Sequence, residues 1–333
     1  MADLKFSICI PAYNGAKLIG ETLESILRQS FGDYEVVVCD DCSTDNTVDV
    51  VQSFGDSRIQ CYRNSTNLGY GKNLQVCCER AQNDILFLMG QDDILLKDAL
   101  LKTHDAFKRG DEIGVVTRPY YWFYEDVRIP VRAVRPYDAG ADSVLSVFGG
   151  ERHIAALFES AGQLSGLAYR REYVDTPFHE ETFPAHIYPF AAILRKYKAV
   201  YLKDYTVAVQ IESSQTRHKS SIYDISPTQS WVRMFDTVYA GDEHKTVRKQ
   251  CVDFITSTNF VGLAQLKNYS TMKVVIREIL LLVKYRWRNL FEVNFWLFSL
   301  GAVVIPRSVL RRVVDSYKKS VLSGRLKDIA IEL

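Results

Sequence analysis

The sequence predicts an α/β fold, with a mostly parallel sheet flanked by helices over residues 1–220 and a helical region over 221–333. Three observations carry this. Strand-length apolar runs alternate with helix-period segments through the first hundred residues, and strands joined by single helices imply right-handed βαβ units. EVVVC (35–39) is a β-branched run with no polar alternation, as expected of a strand covered on both faces. Beyond about residue 225 the pattern turns helical, which sets a soft boundary there.

The elements follow in order. Phe6–Ile10 reads as a strand that stops at Pro11, and Leu18–Gln29 as a helix with Leu18, Ile19, Leu23, Ile26 and Leu27 at helical spacing. Strand Glu35–Cys39 ends in Asp40-Asp41, and Ser43, Thr44 and Asp45 offer an N-cap to helix Thr47–Phe54. Strand Arg58–Tyr62, helix Lys72–Ala81 and strand Ile85–Met89 continue the alternation. Further on, Gly114–Tyr121, Leu164–Tyr169 and Val200–Leu202 read as strands, and Arg152–Glu159 and Ile187–Tyr197 as helices.

The bulk properties are those of an ordinary globular chain. It has 333 residues, 47% hydrophobic and 24% charged, and its formal net charge of +1 makes no demand for nucleic acid. Seven cysteines in mostly apolar surroundings suit buried thiols in a reducing cytosol, and the CxxC of Cys39 and Cys42 has no second pair at zinc spacing. The start lacks the pattern of a signal peptide. The apolar run Phe295–Ile305 falls short of the roughly 20 residues a membrane-crossing helix needs. A cytoplasmic protein is expected.

In open α/β sheets ligands bind beyond the carboxyl ends of the strands. Polar groups gather there: Pro11-Ala12-Tyr13-Asn14 after the first strand, Asp40-Asp41 after the second, Asn64 to Asn67 after the third, and Gly90-Gln91-Asp92-Asp93 after the fourth. Either Asp40 or Asp41 could accept the imide proton of a pyrimidine base. Asp92 and Asp93 are hard oxygen ligands suited to Mg²⁺ or Mn²⁺. An Asp pair after a strand also serves as a turn or helix cap, but two such pairs in one βα register favour a ligand site.

The stretches SICIPAYNGAKLIGETLESILRQSFGDYEVVVCDDCSTDNT, NLGYGKN and ILFLMGQDD, in that order, resemble glycosyltransferase family 2, the inverting enzymes of the GT-A fold, here of the bacterial surface-polysaccharide type. The resemblance runs through about residue 110 and more weakly to about 218. It implies a nucleotide diphosphate-sugar donor, UDP being the expected nucleotide, with Pro11, Ala12, Tyr13 and Asn14 lining the pocket and Asp40 or Asp41 reading the base. Asn67, Gly69 and Lys72 would belong to the loop over the nucleotide. Gln91, within the metal motif, would contact the nucleotide, and Asp92 and Asp93 would hold Mn²⁺ or Mg²⁺. The implied acceptor is a glycan or lipid-linked glycan.

The sequence departs from the family pattern twice. The first Asp of the DxD motif is Gly90, so the nucleotide and water would supply the remaining metal oxygens. The general base is usually an Asp of a Glu-Asp pair opening the helix before strand Val200–Leu202. That position falls near Ala185-His186, where no carboxylate stands. His186, Glu181 and Glu180 are the candidates for the base. No GxxxxGK[ST] loop, GxGxxG fingerprint or QxxRW signature occurs, so transfer of a single sugar is expected. The alternatives are a nucleotide-sugar-binding protein that has lost turnover and a nucleotidyltransferase, for which PAYNGAKL is a poor match.

Residues 273–328 contain 12 Lys or Arg against 4 Asp or Glu, interleaved with Tyr285, Trp287, Phe291, Phe295, Trp296 and Phe298. Such a mixture suits either an anionic membrane surface, on the cytoplasmic face, or a helical subdomain with a solvated basic side.

Overall fold

The computed structural model describes residues 4–180, 185–211 and 225–310, and single positions at 312, 326, 329 and 331. The chain divides into two compact units: 1–147 with 156–211 and 328–333, and 148–155 with 212–327.

The first unit opens with β1 (Phe6–Ala12), α1 (Ile19–Leu27), β2 (Tyr34–Asp40), α2 (Thr47–Ser53), β3 (Ile59–Arg63), α3 (Tyr70–Arg80) and β4 (Ile85–Leu88). It continues with β5 (Ile94–Leu95), α4 (Ala99–Phe107), β6 (Ile113–Thr117), β7 (Tyr121–Phe123), β8 (Arg132–Ala133), β9 (Ser143–Leu145) and β10 (Ala168–Arg170), while α5 (Glu151–Ser160) begins in residues of the second unit and ends in those of the first. It ends with α6 (Ile187–Ile193), β11 (Lys198–Tyr201) and β12 (Val207–Gln210). The main sheet has eight strands in the order β3-β2-β1-β4-β10-β6-β11-β9. β1 pairs in parallel with β2 and β4, and β2 with β3; β10 is antiparallel to both neighbours. The α/β, mostly parallel reading is borne out.

Alternation along the strands sends side chains to opposite faces. Ile8 and Ile10 of β1 and Val36 and Val38 of β2 enter one buried core with Leu23 and Ile26 of α1 and Leu100 and Phe107 of α4. Cys9 and Cys39 meet Cys77 of α3, whose Sγ donates to the Val37 carbonyl at 3.1 Å. All seven cysteines are free thiols; burial raises the Cys77 thiol above its ordinary pKa, and the hydrogen bond with Cys77, followed by burial, raises that of Cys39.

The strand expected over 114–121 is two strands in two sheets. Pro119 has no N–H to continue a ladder, so β6 ends at Thr117 and the chain re-enters as β7 in a four-stranded sheet of order β5-β12-β7-β8. β5, β8, β9 and β12 are too short to carry a hydrophobic period.

The second unit holds α7 (Pro227–Val238), α8 (Lys245–Thr258), α9 (Leu263–Tyr269), α10 (Met272–Tyr285) and α11 (Val293–Val304). Ser226 caps α7, accepting from the Gln229 N–H at 3.0 Å, with Pro227 at the first helical position. Glu278 of α10 reinforces that end by accepting from the Thr228 N–H and the Ser226 hydroxyl. Leu263, Leu266, Val275, Leu282, Phe295 and Ala302 form the unit's own core cluster. No helix among the described residues is long and apolar enough to cross a membrane.

Helix α6 and the residues after it pack closely on the sheet. A Cβ at Gly114 of β6 would lie 2.5 Å from Ile193 Cγ2 and 2.8 Å from Tyr197 Cβ. Gly114→Ala is therefore expected to cost about 1–3 kcal/mol by overpacking, read as a lower urea midpoint with an unchanged m-value.

Candidate functional site

The carboxyl ends of β1 to β4 converge, and specific hydrogen bonds tie them together. The Asp41 N–H donates to the Ala12 carbonyl at 2.7 Å, linking the ends of β1 and β2. The Asn73 amide of α3 donates to the Cys39 carbonyl at 2.9 Å, and its oxygen accepts from Asn64 at 2.9 Å. Asn64 also donates to Asp41 Oδ1 at 2.9 Å. Gln91 clasps β1: its Oε1 accepts from the Tyr13 N–H at 2.9 Å and its Nε2 donates to the Tyr13 carbonyl at 3.0 Å. Asn14 accepts from the Thr44 N–H at 2.8 Å while its own N–H donates to the Ser43 hydroxyl.

The predicted nucleotide-binding residues thus lie together at one edge of the sheet. Pro11 and Ala12 end β1, and the Tyr13 ring is exposed at its exit. The two carboxylates after β2 differ in use. Asp41 is buried and accepts from Asn64 and from the Leu68 and Gly69 N–H groups at 2.8 and 2.9 Å, so it shapes the 64–69 loop. Asp40 is also buried, with Oδ2 accepting from the Ser43 N–H at 3.0 Å and lying 3.6 Å from Arg63 Nε. Asp40 Oδ1 has no hydrogen-bond partner among the described residues. Asn67 accepts from the Gly69 N–H at 3.1 Å. Lys72 is half-exposed and pairs with Glu180 at 3.4 Å.

Asp92 and Asp93 also differ. Asp93 is buried; its Oδ2 accepts from the Ser165 hydroxyl and from Gln163 at 3.0 Å, and its Oδ1 from the Gln210 N–H at 2.9 Å. Burial, followed by the neighbouring Asp92 charge, pushes its carboxyl up to about 8. Asp92 is only partly buried and is the more accessible carboxylate. A Cβ at Gly90 would stand 2.9 Å from Asp92 Oδ1 and from Asp93 Oδ2, so glycine leaves that space to the two carboxylates. Among the described residues no group of three or more His, Cys, Asp or Glu is placed to hold a metal. The donor set fits an ion that keeps several waters and takes one or two carboxylates plus phosphate oxygens, as Mg²⁺ does. Gln163, Ser165 and Gln210, which brace Asp93, lie far from it in sequence, and no local pattern marks them.

Of the three candidates for the base, Glu181 lies outside the described residues. Glu180 is exposed beside Lys72, at the first turn of α3. His186 is buried: Nε2 faces the Ala161 carbonyl at 2.9 Å and Nδ1 lies 3.3 Å from the Tyr70 hydroxyl. A carbonyl only accepts, so Nε2 carries the proton and Tyr70 donates to Nδ1. Burial lowers the imidazole to about 4. With both nitrogens engaged and the ring neutral, this geometry suits packing at the start of α6 better than proton abstraction.

Residues 7–159 match the family model described as Glycosyl transferase family 2. Over 109 residues the chain is 36% identical to the poly(ribitol-phosphate) beta-N-acetylglucosaminyltransferase TarS of Staphylococcus aureus, covering 29% of this chain and 18% of that relative. Over 118 residues it is 33% identical to the UDP-Glc:alpha-D-GlcNAc-diphosphoundecaprenol beta-1,3-glucosyltransferase WfgD of Escherichia coli, covering 33% of this chain and 47% of the relative. These matches span less than half the length of either relative. Among solved structures, S. aureus TarS 1–349 in complex with UDP-GlcNAc superposes with a TM-score of 0.68 at 18% identity, covering 95% of this chain and 92% of that one. A mannosyltransferase from Pyrobaculum calidifontis in complex with GDP-Man and Mn²⁺ gives 0.56 at 16%, covering 91% of this chain and 87% of that one. At such identities the likeness is one of fold.

Two outcomes test this geometry. A Cβ at Gly71 would lie 2.1 Å from the His179 carbonyl oxygen and 2.9 Å from that of Glu180. Gly71→Ala should therefore push residues 179–180 off α3 and destabilise by about 1–3 kcal/mol, as measured by urea unfolding. His186 is neutral in both folded and unfolded chains above pH 6.5. As pH falls from 6.5 to about 4, only the unfolded chain takes up the proton, so stability is lost across that window. The deficit of His186→Gln at pH 7 should thus shrink by about 2 kcal/mol at pH 4.5; a deficit independent of pH would contradict the assignment.

With its motifs gathered at the strand ends of the expected fold, this chain is similar to glycosyl transferase family 2 over residues 7–159.

Proposed function

We propose that the chain is an inverting, metal-dependent glycosyltransferase that moves one sugar from a nucleotide diphosphate-sugar to an acceptor hydroxyl, with UDP as the nucleotide. The observation that carries this is the convergence of Tyr13, Asp40, Asp41, the 64–69 loop and Asp92 at the ends of four adjacent strands. The TarS complex with UDP-GlcNAc and the UDP-Glc named for WfgD support the choice of nucleotide. A lipid-linked glycan of cell-surface polysaccharide synthesis is the proposed acceptor, after the diphosphoundecaprenol substrate in the WfgD name.

In the proposed reaction the exposed Tyr13 ring and the loop held by Asp41 bracket the nucleotide. Asp40 Oδ1, which has an unused acceptor site, or the remaining lone pair on Asp41 Oδ2 accepts the imide proton of uracil. Asp92 would hold a Mg²⁺ or Mn²⁺ ion, and Asp93 fixes the turn that presents Asp92. When bound, the ion offsets the negative charge that grows on the departing diphosphate. The acceptor oxygen attacks the anomeric carbon from the face opposite the nucleotide, and the sugar–phosphate bond breaks as the new glycosidic bond forms. A base takes the acceptor proton during attack. Glu180 and Glu181 are the proposed groups: residues 179–180 dock on the first turn of α3, Glu181 follows them in sequence, and His186 is occupied.

A second reading, a nucleotide-sugar-binding protein without turnover, is favoured by the neutral, buried His186 where the family places a carboxylate. UDP release from UDP-sugars, with and without acceptor glycan, separates the two. The enzyme reading predicts metal-dependent release that falls at least 100-fold in Glu180→Gln or Glu181→Gln and changes little in His186→Gln. Nucleotide binding with no release under any condition would favour the second reading.

A further inference from the structure

We propose that α11 and the turn before it form a shallow insertion face for an anionic lipid surface. The inference deepens the lipid-linked acceptor reading and rests on it.

The helix α11 carries no charged residue and Asn294 is its exposed polar side chain, yet only one side is used internally. Phe295, Ser299 and Ala302 are buried, and Phe295 and Ala302 belong to the core cluster of the second unit. On the opposite side Val293, Leu297, Leu300 and Val304 repeat at helical spacing and are 55–74% exposed. The turn at 287–291 adds exposed Trp287 and Phe291, and Trp296 flanks the helical strip. Soluble surfaces rarely carry a contiguous apolar strip of this kind, and one that persists marks an interaction face.

Charge selects the occupant. Lys273, Arg277, Lys284, Arg288 and Arg307 are exposed across residues 273–307, where Glu292 is the exposed carboxylate and Glu278 is buried under Ser226 and Thr228. Arg286 pairs with Glu292 at 3.3 Å, which largely neutralises that carboxylate. An apolar strip with tryptophan at its rim and an excess of Lys and Arg suits the interface of an anionic monolayer. Twelve residues rise about 18 Å, too little to cross the hydrocarbon core, so the helix would lie in the membrane plane.

The test is sedimentation of the full chain with vesicles of phosphatidylcholine alone, and of phosphatidylcholine with phosphatidylglycerol at about 3:1. Tryptophan emission and UDP binding are measured on the same preparations. The expected result is at least tenfold more pelleting with the anionic vesicles, weakened by salt, and a blue shift that Trp287→Ser with Trp296→Ser removes. Leu297→Ser with Val304→Ser should reduce pelleting at least tenfold while leaving UDP binding unchanged. Absence of pelleting at low salt, with UDP still bound, would overturn the membrane face and leave the proposed activity standing. A self-association seen by light scattering that the Leu297 and Val304 changes abolish, without vesicle binding, would assign the strip to a second copy and likewise overturn the proposal.

Discussion

The parallel pairing of β1 with β2 on one side and β4 on the other sets the architecture of the candidate site. Because both neighbours run in the same direction as β1, the three strands leave the sheet at one edge, and β3 joins them beside β2. Chain leaving a parallel sheet exposes backbone groups that must find partners. Here the Ala12 carbonyl takes the Asp41 N–H, the Cys39 carbonyl takes Asn73, and the Tyr13 peptide groups are held by Gln91. The candidate site is therefore built by satisfying the ends of the strands, and these hydrogen bonds are in place without a ligand. Pre-organisation of this kind lowers the ordering cost that binding would otherwise incur.

The same edge holds four carboxylates, and their environments give them different work. Asp41 is consumed by the 64–69 loop, and Asp93 by Gln163, Ser165 and the Gln210 backbone. Asp40 keeps one oxygen without a partner among the described residues, and Asp92 is the more exposed of its pair. The Asp92-Asp93 pair thus divides into one residue that braces and one that is more exposed, whereas Asp40 and Asp41 are both buried. Desolvation of Asp93, followed by the charge of Asp92, raises its carboxyl and makes the pair reluctant to carry two negative charges.

The α/β alternation was legible because β1 to β4 and α1 to α3 are local units whose patterns repeat within a few residues. The strand ends were legible for the same reason, since Asp40-Asp41 and Gln91-Asp92-Asp93 directly follow strong apolar runs. Three features were not. The split at Pro119 needed the second sheet to be visible, and its two-residue strands carry no period. The braces of Asp93 at 163, 165 and 210 arise from tertiary folding. His186 read as a titratable group near neutrality, but the sequence could not show that burial and the Ala161 carbonyl hold it neutral. Likewise, the basic and aromatic C-terminal pattern gave no sign that Phe295 is core while Leu297 and Val304 are exposed.

The central claim is that the strand ends form a nucleotide diphosphate site in which Asp92 recruits the metal. Calorimetric titration of UDP into the full chain, with and without Mn²⁺, on wild type and Asp92→Ala, tests it most directly. The account predicts UDP binding that Mn²⁺ strengthens at least tenfold, with the Mn²⁺ effect lost in Asp92→Ala. Absence of UDP binding under every condition, or an undiminished Mn²⁺ effect in the variant, would contradict it.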